Sequence, residues 1–260
     1  SIGYIVGFAV TQGPGLVGSI LIGLSFAKSL AYSRGLPFTG VNHIEAHPMA
    51  AFLADSGQSV SVPEFPLVAL VVSGGHTTLL YFEAFTSYRV IGQTLDDAAG
   101  EAFDKVAKLL GLGYPGGGAI ERVARKGDRS AVALPRPLMS KGSLDFSFSG
   151  LKTAVLNVIK GRCPLTEMDI SDIAAGFQEA AVDTLVQKAV WSIEATGAST
   201  LILAGGVACN LRLREKLASA ASREGFTLTV PEARFCSDNA AMIAGLGYHQ
   251  IAKGVVGGLD

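Results

Sequence analysis

The chain has 260 residues, 49% of them apolar and 17% charged, with a formal net charge of −1 and a pI near 6.4. That composition supplies a full core for one large domain or two modest lobes, and the balanced charge excludes global attraction to nucleic acid or an anionic membrane, so any such contact must be local. No apolar run approaches the ~20 residues needed to span a bilayer. Ser1–Gly7 has neither an initiating Met nor a basic signal-type start, so the chain is expected to be soluble, to carry no signal peptide, and to be a fragment. Cys163, Cys209 and Cys236 are scattered without paired spacing, which suits a reducing compartment.

In chain order, Ile5–Val10 reads as a β-branched strand, Thr11–Gly15 as a glycine turn and Leu16–Ser33 as a helix with apolar residues at helical spacing. Phe38–Val41 reads as a short extended piece, followed by a helix that Asn42 would cap and that continues through Ala50–Ala54. Ser56–Pro66 is polar and proline-bearing, the best candidate for a connection between lobes. Leu67–Val72 and Thr77–Phe82 flank Ser73-Gly74-Gly75-His76 as a β-hairpin. Asp96–Leu110 predicts a helix with acids first and Lys105 and Lys108 last, as the helix dipole favours. A glycine loop, Gly111–Gly118, then leads into a helix at Ala119–Arg125. A long amphipathic helix, Ser171–Thr196, precedes a strand at Thr200–Leu203, the Gly205-Gly206 turn and a helix at Leu211–Ser219. Thr227–Val230 as a strand and Asn239–Lys253 as a helix close the chain. Strands and helices joined by glycine turns indicate an α/β fold, and Gly-Gly after two apolar strands hints at a duplicated nucleotide-binding plan.

The chemistry concentrates in a few segments. His43 and His47 stand at i and i+4, which on a helix places both imidazoles on one face, as a shared metal requires. Two ligands do not complete a site, so the pair reads equally as capping or half-buried histidines until a third ligand is found. Zinc proteases use H-E-x-x-H, which seats the glutamate beside the metal-bound water. Here Glu45 follows His43 by two residues, about 200° round a 3.6-residue helix, and points away from that face. Ser73–Thr77 and Tyr114–Gly118 are plain turns or anion cradles, because glycines let backbone amides approach a phosphate. Asn210 reads as a helix cap or a ligand donor, and Asp238 as an N-cap or a hard oxygen ligand. Cys236 is explained as well by a small apolar residue as by a soft ligand. Basic clusters at Arg122, Arg125, Lys126 and Arg129, and at Arg212, Arg214 and Lys216, read first as solvated helix faces and second as RNA-backbone contacts.

Seven segments taken in order, "VTQGPGLVGSILIG" (10–23), "NHIEAHPMAAFL" (42–53), "LVVSGGHTTL" (70–79), "DDAAGEAFDKVAKLLGLGYPGGGAIE" (96–121), "DFSFSGLKTAV" (145–155), "AGGVACNLRLR" (204–214) and "FCSDNAAMIAG" (235–245), closely resemble the TsaD family, formerly called the Gcp glycoprotease family. The resemblance implies a two-lobed actin/sugar-kinase/Hsp70-like (ribonuclease H-like) fold with a nucleotide cleft, lobe one about 1–66 plus 239–260 and lobe two about 67–238. It implies transfer of a threonylcarbamoyl group from threonylcarbamoyl-adenylate to N6 of the adenosine beside the tRNA anticodon, with release of AMP. By the family's motifs, His43, His47 and Asp238 would hold one divalent metal, iron(II) favoured and zinc the alternative. Val71, Val72, Ser73, Gly74, Gly75, Asp104, Gly117, Glu121 and Asn210 would bind the adenylate, ATP or AMP. Implied partners are tRNA, a TsaB-like paralogue, a TsaE-like ATPase and a TsaC-like synthase supplying the adenylate, in the cytoplasm or alternatively a mitochondrion. The family usually opens with a strand and hairpin that precede the region matched here and carry an aspartate implicated in the site, which puts this chain's own activity in doubt. Rival readings are a metalloprotease, a scaffold paralogue without the histidine pair, and a sugar kinase or Hsp70-type ATPase.

Overall fold

The computed structural model describes residues 4–53, 62–138, 140 and 142–258. The first unit is a strand, helix and strand: β1 (Phe8–Gly13), α1 (Val17–Arg34) and β2 (Phe38–Asn42), with β1 and β2 parallel from Phe8 opposite Phe38 to Gly13 opposite Asn42. β1 begins three residues later than the apolar run suggested, because its register is set by pairing with β2 rather than by the β-branched start. Gly35 ends α1 in the left-handed conformation at φ 60°, donating to the Ala31 and Tyr32 carbonyls, a helix stop that a residue without Cβ reaches without strain.

The histidine segment folds as one α-helical turn, α2 (His43–Ala46), that tightens into a 3₁₀ helix at His47–Phe52. This corrects the expectation of a continuous α-helix. Pro48 sits in the first turn of the 3₁₀ segment, where its missing N–H costs nothing but its ring forbids a preceding α-helical turn from running through unbroken. Of the proposed connection Ser56–Pro66, residues 56–61 lie outside the described residues.

The larger sheet has the order β5-β4-β3-β6-β7, formed by β3 (Leu67–Val72), β4 (Thr77–Ala84), β5 (Ser87–Gln93), β6 (Thr200–Ala204) and β7 (Thr227–Thr229). β3 pairs antiparallel with β4 and parallel with β6. Its continuous apolar sequence follows from burial on both faces. Val68, Leu70 and Val72 enter the main core, while Leu67, Ala69 and Val71 join a second cluster with Ala51 of the 3₁₀ segment. The main core is built on one face of the sheet by α3 (Ala99–Leu109), α4 (Gly116–Ala124), α5 (Ser149–Arg162), α6 (Glu167–Thr196) and α7 (Leu211–Glu224). Phe103 and Phe177 meet edge to face at 5.0 Å between α3 and α6.

α3 starts at Ala99, not Asp96. Asp96 is drawn instead into hydrogen bonds from Ser147 Oγ (2.5 Å), the Phe148 amide (2.8 Å) and the Ser149 amide (3.3 Å), so it anchors the start of α5. β5, α5 and the short α8 (Ala233–Cys236) were not among the predicted elements. The last helix, α9 (Ala240–Ala252), returns to the small sheet, where Met242, Ile243 and Leu246 pack on Val41, Ala46 and Met49. This contact seats the histidine turn against α9 and brings the residues just before α9 beside it.

Candidate metal and nucleotide cleft

The cleft is a cavity of about 1170 Å³ lined from both sheets, by Pro14 and Gly15 after β1, His43 of α2, Ser73–His76 between β3 and β4, Asp104 of α3, Gly117, Gly118 and Glu121 of α4, Gly206, Val207, Cys209 and Asn210 after β6, and Ser237 and Asp238 before α9.

Asn42 caps α2 by accepting the Ile44 amide at 2.9 Å, which fixes the turn carrying His43. His43 Nε2 lies 3.2 Å and His47 Nε2 3.5 Å from Asp238 Oδ1, and one donor atom from each of the three residues falls within 4.8 Å of the others. Asp238 is not a cap: Asn239 takes that place, accepting the Met242 amide at 2.9 Å, so the Asp238 carboxylate is left free to face the imidazoles. His47 is fully buried, and neither of its ring nitrogens has a hydrogen-bond partner. Such an orphaned buried imidazole is costly unless something ligates it. Burial, with His43 adding to it, holds its pKa down at about 4, so it is the neutral, ligating form. The donor set and this orphaned nitrogen fit a divalent cation.

Glu45 is not in this group. Its Oε1 accepts the Tyr88 hydroxyl of β5, and burial raises its pKa. His76, which the sequence reading passed over as a site residue, lines the cleft and has its pKa lowered by burial and by the neighbouring His43. The only signal for it was its place directly after a double glycine at a strand end.

The turn at Ser73–His76 is closed by the Ser73 amide donating to the His76 carbonyl at 2.8 Å and the His76 amide donating to Ser73 Oγ at 3.2 Å. Gly74 and Gly75 are exposed, with open space where a Cβ would lie. Behind the turn, Gly100 donates to the Ser73 carbonyl at 3.2 Å. Val71 and Val72 are fully buried in β3 and do not line the cleft; they hold Ser73 at its edge. Opposite, the N-terminus of α4 presents Gly117 and Gly118 with equally open space. Asp104 Oδ1 accepts the Gly116 amide at 2.7 Å, so it secures the glycine loop as well as facing the cavity. Glu121 Oε1 accepts from Arg125 and from the Leu211 amide, both at 3.3 Å. Asn210 caps α7 through the Leu213 amide at 2.9 Å and donates to Gln178 Oε1 at 2.9 Å. The capping role is therefore the one seen.

Of the second basic cluster, Arg212 pairs with Glu179 at 2.8 Å and 2.9 Å and Lys216 with Glu179 at 2.6 Å. Arg214 donates to the Ala208 carbonyl. These cations are internal struts. Arg122 of α4, and Arg125 and Lys126 just after it, are exposed, and Arg125 pairs with Glu121.

The family profile described as "TsaD: tRNA N6-adenosine threonylcarbamoyltransferase" matches residues 1–245. The chain belongs to the TsaD family. Proteins named tRNA N6-adenosine threonylcarbamoyltransferase from Geotalea uraniireducens and Geobacter sulfurreducens are each 52% identical to it, over 98% of this chain and 73% and 74% of their own lengths. The Desulfitobacterium hafniense protein of that name is 51% identical over 95% of this chain and 72% of its own. This makes the chain a member of a transferase family. Two solved structures share the fold: full-length HypF in its phosphate- and nucleotide-bound form, with TM-score 0.63 at 16% identity, and T. kodakarensis HypF, with TM-score 0.66 at 15%. They align with 90% and 94% of this chain but only 38% and 40% of their own. The two-lobed ribonuclease H-like α/β fold expected of a TsaD protein is the one observed. Among the described residues no helix is long and apolar enough to cross a membrane.

Proposed function

We propose that this TsaD chain transfers the threonylcarbamoyl group of threonylcarbamoyl-adenylate to N6 of the adenosine next to the tRNA anticodon, releasing AMP. The observation that carries the reading is the convergence of the His43, His47 and Asp238 donors with two open glycine turns on one cavity. The boundaries read from the sequence, about 1–66 plus 239–260 against 67–238, put the histidines and the glycine turns on different lobes, so the substrate would lie between them.

The donor is a mixed carbonic–phosphoric anhydride. The amides of Gly74 and Gly75, and those of Gly117 and Gly118 at the positive end of α4, would hold its phosphate. Asp104, through the oxygen not used by Gly116, and Glu121 would accept from ribose hydroxyls. Asn210 positions the α7 end of the site through its cap. A divalent ion on His43, His47 and Asp238, iron(II) or zinc, would supply Lewis acidity to the threonylcarbamoyl group. The adenosine amine attacks the carbonyl carbon, its C–N bond forming as the C–O bond to phosphate breaks, and AMP departs with the electron pair as the amine loses a proton.

Unmodified tRNA is the acceptor in this reading. A TsaB-like paralogue and a TsaE-like ATPase would be partners, a TsaC-like synthase would supply the adenylate, and the compartment would be the cytoplasm. The test supplies the full protein with these partners, ATP, threonine, bicarbonate and unmodified tRNA, followed by nucleoside mass spectrometry. N6-threonylcarbamoyladenosine is expected with the wild type and not with His43→Ala. Absence of product from metal-loaded wild-type protein overturns the reading.

A further inference from the structure

Two of the three cysteines come together at the cleft edge. Cys209 is exposed, lines the cavity and ends the 3₁₀ turn Gly206–Cys209, while Cys236 is fully buried at the end of α8. Their sulfurs lie over the same stretch of backbone: Cys209 Sγ is 4.0 Å from the Ala233 carbonyl, and Cys236 Sγ is 3.5 Å from those of Pro231 and Glu232. The segments that carry them, α8 and the 3₁₀ turn Gly206–Cys209, pack against each other. Arg214 braces the pair, donating to the Ala208 carbonyl at 2.5 Å and to Cys236 Sγ at 3.4 Å. One thiol is open to solvent and the other stands shielded behind it, the arrangement of an attacking and a resolving cysteine.

We propose that Cys209 and Cys236 are an oxidation site, closing to a reversible disulfide when a peroxide reaches the cleft. Cys209 sulfur attacks one peroxide oxygen, so that an S–O bond forms, the O–O bond breaks and water leaves. Cys236 sulfur then attacks the Cys209 sulfenic sulfur, forming S–S, breaking S–O and releasing a second water. Two thiols and one hydrogen peroxide thus give one disulfide and two waters. A disulfide sets its sulfurs at about 2.05 Å, closer than any hydrogen-bonding contact, so oxidation ties the turn before Asn210 to the loop holding Ser237 and Asp238. Both tied segments line the cleft, which makes the bond a covalent restraint on the site.

The test uses Cys163→Ser, which removes the exposed third thiol at the end of α5, treated with graded hydrogen peroxide. Both remaining thiols are expected to disappear together, with a mass loss of two hydrogens, a non-reduced peptide linking 209 to 236, and recovery with dithiothreitol. A mass gain of oxygen atoms with one thiol left, or a disulfide between two chains, overturns the proposal. In a second variant that also carries Cys236→Ala, sulfenic acid at Cys209 should persist and be trapped by dimedone. Equal trapping with Cys236 present shows that Cys236 resolves nothing, and sinks the idea even if the first experiment is ambiguous through misfolding.

Discussion

Gly100→Ala tests whether the glycine turn after β3 is held in place from behind. Gly100 is the second residue of α3 and is buried; a Cβ there would lie 2.4 Å from the Ser73 carbonyl oxygen and 2.8 Å from Gly74 Cα. Restoring a contact of 3.4 Å requires the carbonyl to retreat by 3.4 − 2.4 = 1.0 Å. That retreat would also break the 3.2 Å hydrogen bond from the Gly100 amide. Overpacking of this kind costs about 1–3 kcal/mol and the lost hydrogen bond about 1 kcal/mol, against at most ~1 kcal/mol of helix propensity gained by alanine. The net is a loss of about 1–3 kcal/mol, lowering the melting temperature by roughly 2–4 °C for each kcal/mol. Displacing a binding turn by 1 Å costs up to ~10²-fold in function. Thermal unfolding and calorimetric titration with ATP measure both. Gly117→Ala is the control, since nothing lies within 4 Å of its Cβ and its backbone is not left-handed; it should keep the wild-type melting temperature and lose affinity only through the ligand. Wild-type stability and ATP affinity in Gly100→Ala would refute the reasoning.

His47→Ala should cut bound divalent metal, measured by elemental analysis of the purified protein, by roughly tenfold or more; undiminished metal would show that the orphaned imidazole is not a ligand. Glu45→Gln should keep its metal and its transfer activity while losing about 1 kcal/mol from the weakened Tyr88 hydrogen bond, whereas a glycoprotein-cleaving activity abolished by this change would restore Glu45 as a base. Glu179 has its pKa lowered from 4.5 to about 2, first by the Arg212 hydrogen bonds and then by Lys216. A depressed folded-state pKa contributes stability that is full above the unfolded value near 4.5 and is lost as pH falls toward 2. Urea denaturation between pH 5 and pH 3 should therefore show a loss that Glu179→Gln flattens, by about 1–2 kcal/mol after allowance for solvent screening. An unchanged slope in the variant would place the acid sensitivity elsewhere.

The elements that sequence alone located are those whose cause is local. β3 declares itself by an apolar run, because both its faces are buried, and the hairpin by the glycines between two such runs. β5 was missed because as an edge strand its first four residues are exposed, so no alternation marks it. α5 was missed because it buries only Leu151 and Val155, a single i, i+4 pair. The start of α3 was misplaced because Asp96 and Asp97 look like first-turn acids. Their partners lie elsewhere: Asp96 serves the start of α5, and Asp97 takes Lys105 at 2.7 Å.

The same division runs through the site. The spacing of His43 and His47 fixes a shared face, and it holds here because α2 supplies one turn before the 3₁₀ segment begins. The third donor, Asp238, comes from the far end of the chain, so no spacing could identify it; only the family resemblance named it. What the structure adds is the reason it is free to serve, namely that Asn239 caps α9 in its place. Asp104 and Asn210 show the converse. Each was read as a ligand group, and each commits a side-chain oxygen to the scaffold, to Gly116 and Leu213 respectively. Asp104 and Asn210 thus each hold a loop at the cleft, and Gly74, Gly75, Gly117 and Gly118 leave open space beside it. Glu45 follows the same logic in reverse. Its register turned it away from the histidine face, and its acceptor oxygen is engaged by Tyr88. A hydrolytic base would have to stand with the His43, His47 and Asp238 donors, and Glu45 is not among them.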